Sequence, residues 1–461
     1  MSRTNQIYTA SNKKLRLIDI GGDRISNLPD DVISQILSCL STRDSARTCV
    51  LSKNWEHKWT SIYNIQIDDA CSLLRGKVRV ASFVSFVYRI LFTHNSSIKS
   101  FRLTCKMKYE PIHLTTWIST VLRHKIQNLE ITARRCRGIV FPRSFSDCNS
   151  LTELKLMLDC TLKIPVDNCF PNLKNLYLGG GVKLLNDQCP PNNGNLRLSF
   201  PLLEVLVLKS CRWLNAKVVE INAPSLTRFE DESSYYDVNN SCSIMICGTK
   251  LTRFESSGGL INNYVVSGSS VSYAVLNNNP HVTLSNLLGP RAQMILKGFL
   301  NLKHLILSSC VLKVLTELKQ AFPLPIFSQL NQLELLADTK SKELLELLQV
   351  TPSLESLILD AECWDDYNYE GVEVLPPCIM LRLKEFKLNN FQGTTGQINL
   401  AKFIMKNAEN LEKVFVTVGW KSLMSQNKIK HLLSTFPKSS VFESVVVIGR
   451  KIKSTDDDSI A

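Results

Sequence analysis

One pattern of hydrophobic and polar positions recurs along most of this chain: apolar, two variable residues, apolar, one variable residue, apolar. It reads Ile98-Phe101-Leu103, Ile126-Leu129-Ile131, Leu151-Leu154-Leu156, Leu173-Leu176-Leu178 and Leu203-Leu206-Leu208 in the first half. It continues as Leu302-Leu305-Leu307, Leu330-Leu333-Leu335, Leu354-Leu357-Leu359, Leu383-Phe386-Leu388 and Leu411-Val414-Val416, with degenerate copies at Leu226-Phe229, Leu251-Phe254 and Val271-Ala274-Leu276. The last three positions alternate in, out, in, as a short strand requires. The first apolar residue plugs the turn leading into that strand. Thirteen starts between Ile98 and Leu411 give a period of about 26 residues, that of a stacked solenoid. Several copies follow Pro or Ser/Asn, as in Phe170-Pro171-Asn172 and Thr351-Pro352-Ser353, and this many regular recurrences exclude chance spacing within helices.

The N-terminal part follows a different period. Pro29 suits the first turn of a helix, and Asp30 and Asp31 after it favour the positive end of the helix dipole. Ile33, Ile36, Leu37 and Leu40 fall at helical spacing on one stripe. Ser41 with Asp44 predicts a cap for a second helix, and Ser52 a cap for a third carrying Trp55 and Trp59 one turn apart. The spacing therefore predicts three short helices between residues 28 and 61. Phe83, Val87, Ile90 and Leu91 predict an outer helix over Val80 to Phe92, covering the open end of the solenoid, with Ile65 and Ile67 supplying a capping strand. Near the other end, Leu383 to Val416 reads as a strand, a Gly393–Gly396 turn, a helix from Gln397 to Asn407 with Ile398, Ala401, Phe403 and Ile404 on its stripe, and another strand. Residues 230–300 are rich in Ser, Asn and Gly, which predicts polar strands and an irregular array there.

The period identifies a leucine-rich repeat, so the fold class is α/β: a helical N-terminal module followed by a curved parallel sheet with outer helices and coil. Cys211 and Cys310 each stand three residues after the last apolar position, where the cysteine form of the repeat fills the turn after the strand. The remaining cysteines of the fifteen are scattered without a CxxC pair, which disfavours a paired zinc site. Hydrophobic residues make up 44% and charged residues 21% of the chain, a balance that excludes broad disorder. No apolar run reaches the roughly 18–20 residues that would span a bilayer, and the first residues lack the apolar core of a secretory signal. The expectation is a reducing compartment, cytoplasmic or nuclear, with no membrane association. The formal charge of +13 is spread along the chain rather than gathered into a basic stripe with interleaved aromatics, so a nucleic-acid partner is not expected. No HExxH, GxSxG or P-loop spacing occurs, so neither enzymatic activity nor a metal or other cofactor is expected.

Two segments carry a family resemblance. Asp23 to Ile67 (DRISNLPDDVISQILSCLSTRDSARTCVLSKNWEHKWTSIYNIQI) resembles an F-box through its Leu28-Pro29 pair, the following Ile36-Leu37 and the later Trp55 and Trp59. Leu383 to Val416 resembles the FBD segment that closes many plant F-box proteins with leucine-rich repeats. The resemblance covers the chain from Asp23 to about Gly449 and implies 23–67 as F-box, 68–380 as solenoid and 381–450 as FBD-like repeats; residues 1–22 and the acidic 451–461 are expected to be disordered tails. The resemblance also implies the substrate-recognition subunit of a Skp-cullin-F-box ubiquitin ligase. Leu28, Pro29, Ile33, Ile36, Leu37 and Leu40 would then meet a Skp-type adaptor, and through it cullin and a RING protein. A protein substrate would bind outward strand positions such as Lys155, Asn175, Tyr177, Val207, Ile306, Glu334 and Lys387. A small-molecule sensor of the same architecture, and a scaffold that has lost the ligase link, are the competing readings.

Overall fold

The computed structural model describes residues 28–449 apart from short internal stretches (75–76, 79, 95–96, 142–144, 146–147, 165–169, 187–193, 233–241, 259, 261, 268–269, 279–284, 318–322, 337–339, 361–364, 421, 423 and 440–443). The two tails expected at residues 1–22 and 451–461 lie outside the described residues.

Among these, a fifteen-stranded sheet runs in chain order from Asn64–Asp68 to Ser444–Ile448, with neighbouring strands parallel. The repeated phrase sets its register. Leu129, Leu154, Leu176, Leu206, Phe229 and Phe254 sit side by side on one face. All are buried. The degenerate copies obey the same register: Arg228–Glu232, Arg253–Ser257 and Tyr273–Asn277 are ordinary members of the sheet. Among the described residues, the main-sheet strands of the segment 230–300 thus keep a regular register where an irregular array was expected. Its polar inward residue Asp231 is accommodated inside, where the Tyr264 hydroxyl donates to its Oδ2, and a main-chain ladder does not depend on which side chains it carries.

Helices form the outer layer toward both ends, from Pro111–Leu122 to Gln426–Ser434. In the middle, the described part of the return path holds strands instead of helices. One four-stranded parallel sheet (Asn195–Ser199, Val218–Asn222, Ser243–Cys247, Asn263–Ser267) precedes the inner strands and a second (Ile139–Val140, Cys160–Ile164, Lys183–Asn186, Arg212–Leu214) follows them. Short coils favour this, since only twenty residues separate Leu251 from Val271 and a strand advances more than twice as far per residue as a helix. Val219 with Ile221, and Ile244 with Ile246, supply the period-two alternation.

The N-terminal module has two α-helices, α1 (Asp30–Ser38) and α2 (Thr42–Arg47). Pro29 is the N-cap of α1 rather than its first helical residue. Ser41 caps α2 as expected, its Oγ accepting from the Asp44 N–H at 3.1 Å. The third helix expected after Ser52 is replaced by 3-10 turns at Lys53–Trp55 and Lys58–Ser61, and the Ser52 side chain makes no cap. The module is fastened to the solenoid through Thr42, whose Oγ1 accepts from the Gln66 N–H of the first strand at 2.7 Å. The buried Asp69 then ties that strand to the next coil, its Oδ2 accepting from the N–H groups of Lys106 (2.8 Å) and Met107 (2.9 Å) and from the Tyr109 hydroxyl (3.1 Å). Helix α3 (Val80–Thr93) buries Phe83, Val87, Ile90 and Leu91, the four residues its periodicity predicted.

The helix expected over Gln397 to Asn407 runs Thr395–Asn407, with a full capping box between Thr394 and Gln397. Cys310 is not in a turn: it lies in the first turn of the helix Ser309–Glu317. Cys211 does lie after its strand, at a corner turned by the positive φ of Ser210, with its thiol pushed up by burial.

Candidate functional site: a docking module and an open sheet face

The stripe of α1 divides in two. Ile33 and Leu37 are each only 1% exposed and turn into the module, where Ser34 Oγ lies 2.9 Å from Ser61 Oγ and Ser45 Oγ donates to the Leu37 carbonyl at 2.7 Å. They were expected on the docking face. The structure places them in the core instead, because a three-segment module this small needs them to close over its own 3-10 turn. Leu28 is half-buried against the same core. Ile36 and Leu40 remain 44% and 45% exposed, with Pro29 beside them. Val32, Val50 and Leu51 are also exposed, Val50 at 83%. None of these three was expected: Val32 stands one turn before Ile36 and two before Leu40, a helical spacing that could have found it, whereas Val50 and Leu51 follow α2 without a period of their own. Exposed aliphatic groups on so small a module are the usual mark of a protein-contact surface.

The sheet presents its other face to solvent. Lys155, Tyr177, Val207, Glu230 and Glu255 occupy one register row there, which continues through Val275, Ile306, Glu334, Ile358, Lys387, Phe415 and Val446. Six of the seven outward residues expected to contact substrate thus share a row, and Asn175 lies in the adjoining one. Val207 does not offer a surface. It is buried between taller neighbours on the same face, Tyr177 and Glu230.

Charges in the first part of this face are paired with one another. Glu130 accepts from Arg102 Nε at 2.6 Å and from Lys155 Nζ at 2.9 Å. Partial burial alone would raise the Glu130 carboxyl, but these two cations hold it below the usual carboxylate range. Further along, Lys209 reaches Glu230 at 3.3 Å and Glu232 at 3.1 Å, Arg228 reaches Glu230 at 2.8 Å and Glu255 at 3.5 Å, and Arg253 reaches Glu255 at 2.5 Å. The Arg253 guanidinium also lies 3.8 Å from the centroid of the Tyr273 ring, which meets His304 edge-on. Cross-strand partners are more than twenty residues apart in sequence, so only the register reveals them.

Comparison with known proteins follows this division. The F-box domain family model matches residues 25–66 and the FBD family model residues 373–415. The F-box/FBD/LRR-repeat protein At3g14710 of Arabidopsis thaliana is 30% identical over 455 residues, covering 95% of this chain and 97% of its own length. The chain belongs to the plant F-box/FBD/LRR-repeat family. Another relative, At5g53840 of the same organism, is 27% identical, with 92% of this chain and 95% of its own length aligned. In this F-box/FBD/LRR-repeat protein the F-box match ends within the first strand of the sheet, so the F-box and the solenoid share backbone hydrogen bonds. The FBD match holds the strand Glu385–Phe391 and the helix Thr395–Asn407 and reaches into the strand Lys413–Val418. It is built into the same solenoid, whose sheet continues past it to Ser444–Ile448. Among the described residues, no group of three or more His, Cys, Asp or Glu is placed to hold a metal ion.

Proposed function

We propose that this protein is the substrate-recognition subunit of a Skp-cullin-F-box ubiquitin ligase. The observation that carries the reading is the apolar surface that the F-box leaves open at Pro29, Val32, Ile36, Leu40, Val50 and Leu51. A module that buries half of its stripe and leaves the other half bare is built to be completed by a partner. That partner is a Skp-type adaptor, with cullin and a RING protein recruited through it, while the solenoid holds a protein substrate. The contribution to catalysis is proximity: substrate lysines are held at high effective concentration near the transferred ubiquitin. The subunit itself forms no bond.

The test is co-purification with a Skp-type adaptor, comparing wild type with Ile36→Asp, Leu40→Asp. Both residues lie on the exposed side of the module, and thermal unfolding checks that the double variant folds. Desolvating two carboxylates in an apolar interface costs on the order of 2 kcal/mol or more, at least about 30-fold in affinity. Wild type that is folded yet does not bind the adaptor sinks the ligase reading and leaves an interaction scaffold or a small-molecule sensor.

A further inference from the structure

The open face of the sheet changes character at Tyr273. Before it, charged residues on the central row are tied into ion pairs, from Arg102–Glu130–Lys155 to Arg253–Glu255. A partner docking there would have to break those pairs. After Tyr273 the row reads Val275, Ile306, Glu334, Ile358, Lys387, Phe415, Val446. Among the described residues neither Glu334 nor Lys387 has an ion pair or hydrogen bond of its own. Each is half-buried, flanked on both sides by half-buried apolar residues, and separated from the other by Ile358.

We propose that this C-terminal half of the open face is the docking surface of the substrate, and that its occupant is an amphipathic helix laid across the strands, with a cation over Glu334, an apolar residue over Ile358 and an anion over Lys387. The spacing selects a helix. Neighbouring strands lie about 4.8 Å apart, so Glu334 and Lys387 stand about 9.6 Å apart along the row. Helix residues i and i+7 share a face about 10.5 Å apart, with i+3 and i+4 between them. Each strand step thus matches about one helical turn, and Ile306 and Phe415 meet the turns on either side. An extended segment places same-face residues about 6.8 or 13.5 Å apart, and neither interval fits. The half-buried Glu334 carboxyl is raised by desolvation, with Asp360 adding to the shift and Lys387 opposing it. An arriving cation would relieve that cost.

This deepens the receptor reading, and rests on it for calling the occupant a substrate. The test uses three fluorescent, stapled helical probes carrying leucines at one-turn spacing and differing at two positions seven apart: Lys with Glu, Lys with Lys, or Glu with Glu. Such probes are indifferent to which way the helix runs. Fluorescence anisotropy on wild type should favour the Lys/Glu probe at least tenfold. Glu334→Lys should shift the preference to Glu/Glu, and Lys387→Glu to Lys/Lys, whereas Lys155→Glu changes nothing. Both substituted side chains are half-exposed, and thermal unfolding checks that the variants fold. No discrimination among probes, no binding, or preferences that survive both charge reversals would overturn the proposal. Adaptor binding is measured on the same preparations. A protein that binds adaptor but shows no probe preference fails this inference alone. One that selects the Lys/Glu probe but not the adaptor fails only the ligase reading.

Discussion

Gln397 is a single residue on which the last part of the solenoid turns. It is fully buried, and its Oε1 accepts three backbone N–H groups, from Gln392 at 2.8 Å, Gly393 at 2.8 Å and Thr394 at 3.2 Å. These donors belong to the loop that crosses from the strand Glu385–Phe391 to the helix Thr395–Asn407. Gly393 is held there at φ +85°, a conformation that strains any residue with a side chain. Gln397→Met keeps the volume and removes the acceptor. Each hydrogen bond contributes about 1 kcal/mol net, and a buried donor left unpaired costs about 1–3 kcal/mol. Thr394 N–H has the longest bond and sits at the helix start, where water can replace the amide. The expected loss is therefore about 2–3 kcal/mol. Gln397→Glu keeps an acceptor at a helix N-terminus, where negative charge is favoured, and should lose under about 1 kcal/mol. A solenoid need not unfold in one step, so the assay is native-state hydrogen exchange over residues 392–407. Protection should fall roughly 30- to 150-fold in the Met variant and by less than about fivefold in the Glu variant. Equal exchange in Met and wild type, or equal loss in Met and Glu, would refute the claim that the acceptor organises this loop.

Ile33→Ala should destabilise the F-box by about 2–4 kcal/mol and open it to limited proteolysis, whereas Ile36→Ala, on the exposed side of the same helix, should leave the digestion pattern unchanged. Tyr264→Phe removes the hydroxyl that donates to buried Asp231, and should cost about 1–3 kcal/mol, read as a lower thermal midpoint; an unchanged midpoint would contradict the assignment. His94 is buried, among the described residues neither of its ring nitrogens has a hydrogen-bond partner, and His124 lies edge-on to it at 5.8 Å. Burial first, and His124 second, lower its pKa from 6.5 to about 4. Between those two values the unfolded chain takes up a proton that the folded chain refuses, so stability falls as pH drops from about 6.5 to about 4 and is insensitive to this group above 6.5. Thermal melts of His94→Leu across that window should show a shallower pH dependence than wild type.

What could be read in the chain, and what could not, follows from the range of each signal. The strand phrase is local and was legible even at Leu226-Phe229 and Val271-Ala274-Leu276, because its inward positions must be apolar whatever the outer layer does. The stripe of α3 was legible because that helix has only one face to bury. The stripe of α1 misled at Ile33 and Leu37: periodicity marks an apolar face, yet cannot say where along it the module's own core ends and the open surface begins. Ser52 has the chemistry of a cap but stands before a stretch that closes as 3-10 turns, and a cap without a following α-helix has no orphan N–H groups to receive. The outer strands over residues 139–267 fall where the sequence predicts outer helix or coil, although Val219 with Ile221, and Ile244 with Ile246, already alternate.

The open face was the least legible part, for a reason that bears on function. Inward residues are constrained by their own coil, and outward residues by neighbours one repeat away. Lys155 is an obvious outward cation in the sequence, yet the register spends it on Glu130. Lys387 is its equal in sequence, yet the register leaves it beside Ile358 and Phe415. Ten strand steps separate the first strand, which carries the F-box, from the strand of Glu334, about 48 Å along the sheet at about 4.8 Å per step. An adaptor on α1 and a helix over Glu334 could be bound together without contact, so their affinities should be independent. Coupling between them, measured as a change in probe affinity on adding saturating adaptor, would mean that the solenoid transmits strain between its ends rather than acting as a rigid spacer.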